Sequence, residues 1–226
     1  MPQATKPTKP PLSASGRAIR SPIAVAIFVL VAAAGAAGDL LSKHYVFDSF
    51  LSNPQLASRI EQARTPLDSS TREMMHKGSL SDMFQRRVFP GVKFTLSTNP
   101  GIVFGTETIP RPVVRIVAFA EILLVLIFFA TAPARAWMMH VGLAFIISGA
   151  VGNLWDRLFS VVALPVAGLA PITNEVRDFI DCSDLHYPYV FNVADVLLVV
   201  GVGLIMLTWL FAPRKHPPAV VKGKAT

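Results

Sequence analysis

Apolar residues predominate in four long stretches of the chain, at residues 23–47, 112–132, 136–159 and 191–211. A helix needs about 20 apolar residues to cross the hydrocarbon core of a bilayer, so each stretch predicts a membrane span. The first follows a basic segment, as a secretory signal would, with small residues near Gly35–Gly38 suited to cleavage. Its apolar pattern continues through Leu40 and Leu41, which favours an uncleaved helix. Residues 44–92 mix charges of both signs with Ser, Pro and Gln and predict one or two solvated helices outside the bilayer. Val92, Phe94 and Leu96 then alternate with Lys93, Thr95 and Ser97, the pattern of a strand, which Asn99-Pro100-Gly101 breaks. Residues 160–190 read as a loop. The Pro-, Ser- and Lys-rich residues 1–22 read as a disordered basic tail, and residues 213–226 are basic again. The expected organisation is one four-span domain over 23–212. Within it lie a polar insertion at 44–92 and a strand and loop at 91–105.

Composition sharpens the class. The 226 residues are 52% hydrophobic and 15% charged, with a mean hydropathy of +0.51. Soluble domains carry about 25% charged residues, so the fold class is an all-α membrane protein with a small β element. The net charge of +7 and isoelectric point of 9.9 would fit nucleic acid. With four apolar spans, membrane lipids with anionic headgroups are the simpler partner, and no nucleic-acid partner is expected. Basic residues in short flanks set orientation. Lys6, Lys9, Arg17 and Arg20, the link residue Arg135, and Arg214, Lys215, Lys222 and Lys224 all fall on one side if four helices span. That side is the expected cytoplasmic face, and the 44–111 and 160–190 segments face outward. The single cysteine, Cys182, excludes an intrachain disulfide framework. Pro188 argues against the helix that would bring His186 to it as a catalytic partner.

This topology gathers the unusual polar residues at one interface. Asp39 and Lys43 end the first span, Asn153, Asp156 and Arg157 end the third, and Asn192 and Asp195 begin the fourth. Asn99 and Asp178 lie in the connections on that side. Asn153 with Asp156 and Asn192 with Asp195 are i, i+3 pairs, and Asn153 with Arg157 is i, i+4, so each set shares a helical face. Taken singly, Asn192 and Asp195 suit an N-cap, and Asn153–Asp156–Arg157 suits an interfacial ion pair. Several carboxylates at one partly dry interface also suit an acid/base dyad, since two close carboxylates hold one proton between them. Spacing leaves Asp156, Asp178, Asp181, Asp184 and Asp195 as candidates.

The blocks GDLLSK, TNPGIVFG, SGAVGNLWDRL, VRDFID and FNVADVLLVVG, in that order, resemble the lipoprotein signal peptidase (signal peptidase II) family. The resemblance covers residues 39–43 and 91–212. It implies an intramembrane aspartic endopeptidase that removes the signal peptide of a diacylglyceryl-modified prolipoprotein, cutting before the lipidated cysteine. The residues matching the family's dyad are Asp178 and Asp195. Those matching its supporting shell are Asp39, Lys43, Asn99, Gly101, Asn153, Asp156, Arg157, Asn192 and Ala194. It further implies a small outer-face β-cradle, no metal or other cofactor, prolipoprotein signal peptides as partners, and a monomer. The expected place is the bacterial cytoplasmic (inner) membrane, with both termini cytoplasmic. The chain departs from the family pattern at Pro100, Ile102, Val103 and Gly105, and in the length of its 44–90 segment. Outside that family, Glu121 and Asp156 would suit a proton or ion transporter, and His44, His140 or His186 a metal-dependent hydrolase lacking an HExxH motif. A non-catalytic scaffold of the same fold is a third alternative.

Overall fold

The computed structural model describes residues 16–76, 82–101 and 109–211. Helices α1 (Pro22–Leu51), α4 (Arg111–Thr131), α5 (Trp137–Phe159) and α6 (Val193–Leu210) are each long and apolar enough to cross a membrane. Their bounds fall within a few residues of the four apolar stretches. The shorter elements are α2 (Pro54–Ala63), α3 (Thr71–His76), β1 (Gln85–Phe89), β2 (Val92–Asn99), β3 (Val161–Val162), β4 (Ile172–Thr173), β5 (Val176–Asp181) and β6 (Val190–Phe191). The protein is thus mostly helical with a small antiparallel sheet.

Helix α5 is the most enclosed of the four long helices and packs against α1, α4 and α6. Apolar side chains gain little by leaving lipid for one another, so membrane helices associate through close backbone approach. The small residues of α5 supply that approach. A Cβ on Gly149 would stand 2.5 Å from the carbonyl oxygen of Ala194 on α6, and one on Gly152 would overlap the Asp39 carboxylate on α1. Ser148 reaches the α1 backbone directly, donating to the Ala32 carbonyl at 3.0 Å.

At the opposite end of the bundle, residues 16–21 belong to the body of the fold, although their composition matches a disordered tail. The backbone N–H of Ala18 donates to the Ala132 carbonyl at 2.8 Å, and that of Ala134 donates to the Gly16 carbonyl at 2.8 Å. Ser21 then caps α1, accepting from the Ala24 amide at 3.3 Å, with Pro22 in the first turn where its missing N–H is harmless.

Two expectations are corrected beyond the membrane helices. Residues 160–190 are not simply a loop. They contain β5, an inner strand of the sheet β1-β2-β5-β6, together with β6 and the β3–β4 pair. Nor are residues 44–92 merely a polar excursion. Helix α1 continues to Leu51, and at 1.5 Å per residue its 30 residues extend about 45 Å, well beyond the ~30 Å hydrocarbon core. Its last two turns carry Val46, Phe47 and Phe50 into a second core with Leu56 and Ile60 of α2, Met74 of α3, and Phe179 of β5. The segment also pairs with the 160–175 connection: the amide of Thr71 donates to Ala170, and that of Ala170 to Ser69. The strand expected at 91–105 is β2, Val92–Asn99; Ile102, Val103 and Gly105 lie outside the described residues.

Close approach at α5 gives a direct test. Gly149→Ala drives a methyl group onto the α6 backbone. It is expected to lower stability by about 1–3 kcal/mol, as overpacking does, read as a lower thermal midpoint in detergent.

Candidate active site

The sheet, the passing stretch of α1, the end of α5 and the head of α6 meet at one end of the bundle, and the polar residues assemble there into a single network. Its base is the ammonium of Lys43, fully buried, 2.7 Å from Asp39 and 3.3 Å from Asp156, and donating to Asn153 Oδ1 at 3.0 Å. A buried charge is tolerated only when paired and hydrogen-bonded, so these contacts tie α1 to α5. Asp39 then reaches α6, accepting from the backbone N–H of Ala194 at 2.8 Å.

Asn192 is the hub of the upper layer. Its Oδ1 accepts from the Asp195 amide at 3.1 Å, and Asp195 Oδ2 accepts from the Asn192 amide at 3.1 Å, a reciprocal capping box at the head of α6. Its Nδ2 donates to Asp178 Oδ1 at 2.5 Å and to Asn153 Oδ1 at 3.2 Å. Capping and participation in the site, alternatives on sequence alone, are therefore both present. Asn153 Nδ2 donates to Asp195 Oδ1 at 3.0 Å, so Asn192 holds both Asp178 and Asp195, and Asn153 joins Asp195 to Asn192.

Asp178 is carried by β5, whose residues 176, 178 and 179 are all buried. Opposite it on β2, the pairing slips between Phe94 and Ser97, so that Thr95 and Leu96 are both buried. Such bulges bend a strand and redirect its side chains. Burial, and then the neighbouring Asp195 carboxylate, push Asp178 up to about 7. The amides of Asn192 and Asn99 and the charge of Lys43 act in the other direction. Arg157 donates to the carbonyls of Asn153 and Gly101 at 3.3 and 3.0 Å, and Asn99 Oδ1 accepts from the Gly101 amide at 2.9 Å. All eleven residues singled out by sequence thus lie in or against this network.

Other candidates separate from it. Asp181 accepts from the Ser183 amide, and Asp184 pairs with Lys93 and Arg87, which holds its carboxyl below the usual range. His140 sits at the opposite end against the Pro133 carbonyl. Among the described residues, no group of three or more His, Cys, Asp and Glu side chains is arranged to hold a metal. Glu121 on α4 lies in the field of Arg157. Arg177, which drew no notice in the sequence, forks onto Asp156: Nε and Nη2 reach Oδ1 at 3.0 and 2.7 Å, and its amide reaches Oδ2 at 3.0 Å. Its position beside Asp178 in VRDFID was the available signal.

From Asp195 an apolar groove of about 310 Å³ runs along α6, lined by Val196, Val199 and Val200 and by Cys182, Tyr187 and Phe191. A carboxylate at the head of a lipid-facing groove can meet an apolar segment that arrives through the bilayer.

The raised Asp178 carboxyl has a consequence for stability. The folded state holds this proton more tightly than the unfolded chain, so between about pH 4 and 7 stability falls as pH rises. Asp178→Asn mimics the protonated carboxyl. Its thermal midpoint relative to the parent is expected to be higher at pH 8 than at pH 5, by calorimetry or scanning fluorimetry in detergent.

Comparison with known proteins identifies the family and the fold. Residues 31–211 match the family model described as Signal peptidase (SPase) II. A lipoprotein signal peptidase of Desulfitobacterium hafniense is 36% identical over 124 residues, covering 54% of this chain and 71% of the relative. One of Coxiella burnetii is 31% identical over 137 residues, covering 58% and 76%. Two solved structures of a bacterial membrane enzyme share the fold, with TM-scores of 0.55 and 0.56, each 21% identical. They cover 85% and 84% of this chain and 95% and 96% of theirs. A match spanning three of the four long helices and most of α1, together with relatives above 30% identity, places the chain in the signal peptidase II family, membrane proteases that process prolipoprotein signal peptides.

Proposed function

We propose that the protein is an aspartic endopeptidase working at the membrane surface. In this reading it cuts diacylglyceryl-modified prolipoproteins on the N-terminal side of the lipidated cysteine. The observation that carries this reading is the joint hold of Asn192 on Asp178 and Asp195. It gives two carboxyl groups different surroundings within reach of one water. Asp195 accepts two hydrogen bonds at a helix N-terminus, where an anion is favoured. It is the base. Asp178, buried and pushed up to about 7, holds its proton to a higher pH than an ordinary carboxyl and is the acid.

The signal helix of the substrate enters beside α6, its apolar residues along Val196, Val199 and Val200, and unwinds at the helix head to present the scissile carbonyl. Asp195 draws a proton from the water as its oxygen attacks the carbonyl carbon. Asp178 donates to the carbonyl oxygen as negative charge develops there. The tetrahedral intermediate then collapses: Asp178 takes back its proton from the former carbonyl oxygen, the C–N bond breaks, and the proton held by Asp195 passes to the leaving nitrogen. Asn153 and Asn192 fix the two carboxyls. Asp39, Lys43 and Asp156 hold the helices that carry them.

The orientation belongs to the same proposal. Arg17, Arg20 and Arg135 cluster at the end remote from the site, which the positive-inside rule assigns to the cytoplasm. The site then faces outward from the bacterial inner membrane, with both termini cytoplasmic. The same proposal takes the working form to be a monomer.

Asp178→Asn and Asp195→Asn should each fold and lose at least about 1,000-fold in cleavage of a diacylglyceryl-modified prolipoprotein, followed by gel shift in detergent. The unlipidated precursor is the control. Full activity in either variant ends the dyad assignment. Because the acid must be protonated, kcat/KM should also fall as pH rises through about 7. A rate that keeps rising to pH 9 would overturn the assignment of Asp178 as a protonated acid.

A further inference from the structure

Arg177 stands in the strand that carries Asp178, yet its side chain turns to Asp156. The fork is supported on three sides: two guanidinium nitrogens on Asp156 Oδ1, the Arg177 amide on Oδ2, and the Phe47 ring 6.0 Å from the guanidinium carbon. Asp156 is fully buried and also meets Lys43 at 3.3 Å. Without Arg177, the same lysine would answer both Asp39 and Asp156 alone.

We propose that Arg177 is a positioning residue whose charge sets the proton count of the site, holding the Asp178–Asp195 pair at one shared proton. The proposal rests on the dyad reading above. Four carboxylates form the cluster: Asp39 on α1, Asp156 on α5, Asp178 on β5 and Asp195 on α6. Three cations answer them: Lys43, Arg157 and Arg177. One negative charge is left over, and one proton on the pair removes it. That is the protonation state in which one carboxyl acts as base and the other as acid.

The remaining charged groups near Asp178 are answered elsewhere. Glu175, at the root of β5, is held by Arg72 and Arg111. Lys93, on β2, is held by Asp184 and Asp181. Glu121, on α4, is coupled to Arg157 and to none of the four carboxylates, and so stands outside their count. Removing Arg177 therefore leaves two surplus negative charges in a buried cluster, and the pair takes up its second proton at a higher pH than before.

The measurement is the pH profile of kcat/KM on a diacylglyceryl-modified prolipoprotein, with folding monitored by thermal unfolding in detergent. Arg177→Gln should move the whole bell toward alkaline pH by about one unit, the effect of losing a nearby opposite charge. Activity on the acidic limb should drop about tenfold. Arg177→Lys retains the charge but not the fork, and its bell should stay within a few tenths of the parent. The double variant Asp156→Asn/Arg177→Gln removes one charge of each sign and should return the bell to the parent position.

A bell unmoved in Arg177→Gln overturns the proposal, as does an equal displacement in the Gln and Lys variants, which is what a packing role alone would give. Should Arg177→Gln fail to fold, Asp156→Asn with Arg177 kept decides: it removes one negative charge, so its bell should move toward acidic pH, and an unmoved bell overturns the proposal. Retained cleavage in Asp178→Asn or Asp195→Asn would instead defeat the dyad reading, whatever Arg177 does.

Discussion

A fully buried ammonium group is the constraint on which this architecture turns. Lys43 cannot leave water unless anions and acceptors meet it, and it finds them on its own helix and on α5. Those contacts require Asp39 and Asp156 to face each other across the α1–α5 seam. Gly152 makes room for this, because any side chain there would overlap the Asp39 carboxylate. Asp39 in turn fixes the head of α6 through the Ala194 amide. One charge thus aligns three helices at the level where the carboxyl pair sits.

The pair depends on a second economy. Asn192 uses each polar atom of its side chain: the oxygen caps α6, and the nitrogen bridges to Asp178 and Asn153. The residue that starts the helix therefore also sets the position of the catalytic candidates relative to it. A shift in the helix start would move Asp195 and the anchor of Asp178 together. Local secondary structure and site geometry are here the same set of hydrogen bonds.

The long helices were legible because bilayer thickness demands a long apolar run, and little else in a chain of this size produces one. Helical spacing put Asn153 with Asp156 and Asn192 with Asp195 on shared faces, while the choice of Asp178 with Asp195 as the pair, and of Gly101 and Ala194 beside them, came from the resemblance. Strand β5 was not, because Asp178 and Phe179 are consecutive and both buried, so the alternation that marks a half-exposed strand is missing. The extension of α1 to Leu51 was hidden by His44, Asp48 and Ser49, which face outward while Val46, Phe47 and Phe50 face the second core. Arg177 was hidden because nothing in one dimension shows that a strand residue reaches back to the end of α5. Its role depends on the pairing of β5 with β2, which only the fold supplies.

The unbroken course of α1 has a mechanical meaning. One rod begins at the bundle's far end, passes Asp39 and Lys43, and ends inside the core formed with α2, α3 and β5. It acts as a depth gauge. Its apolar stretch settles at the height the bilayer dictates, and the projecting turns carry that height to the strand bearing Asp178. The vertical offset between the apolar stretch of α1 and the strand bearing Asp178 is thereby a fixed dimension of the protein.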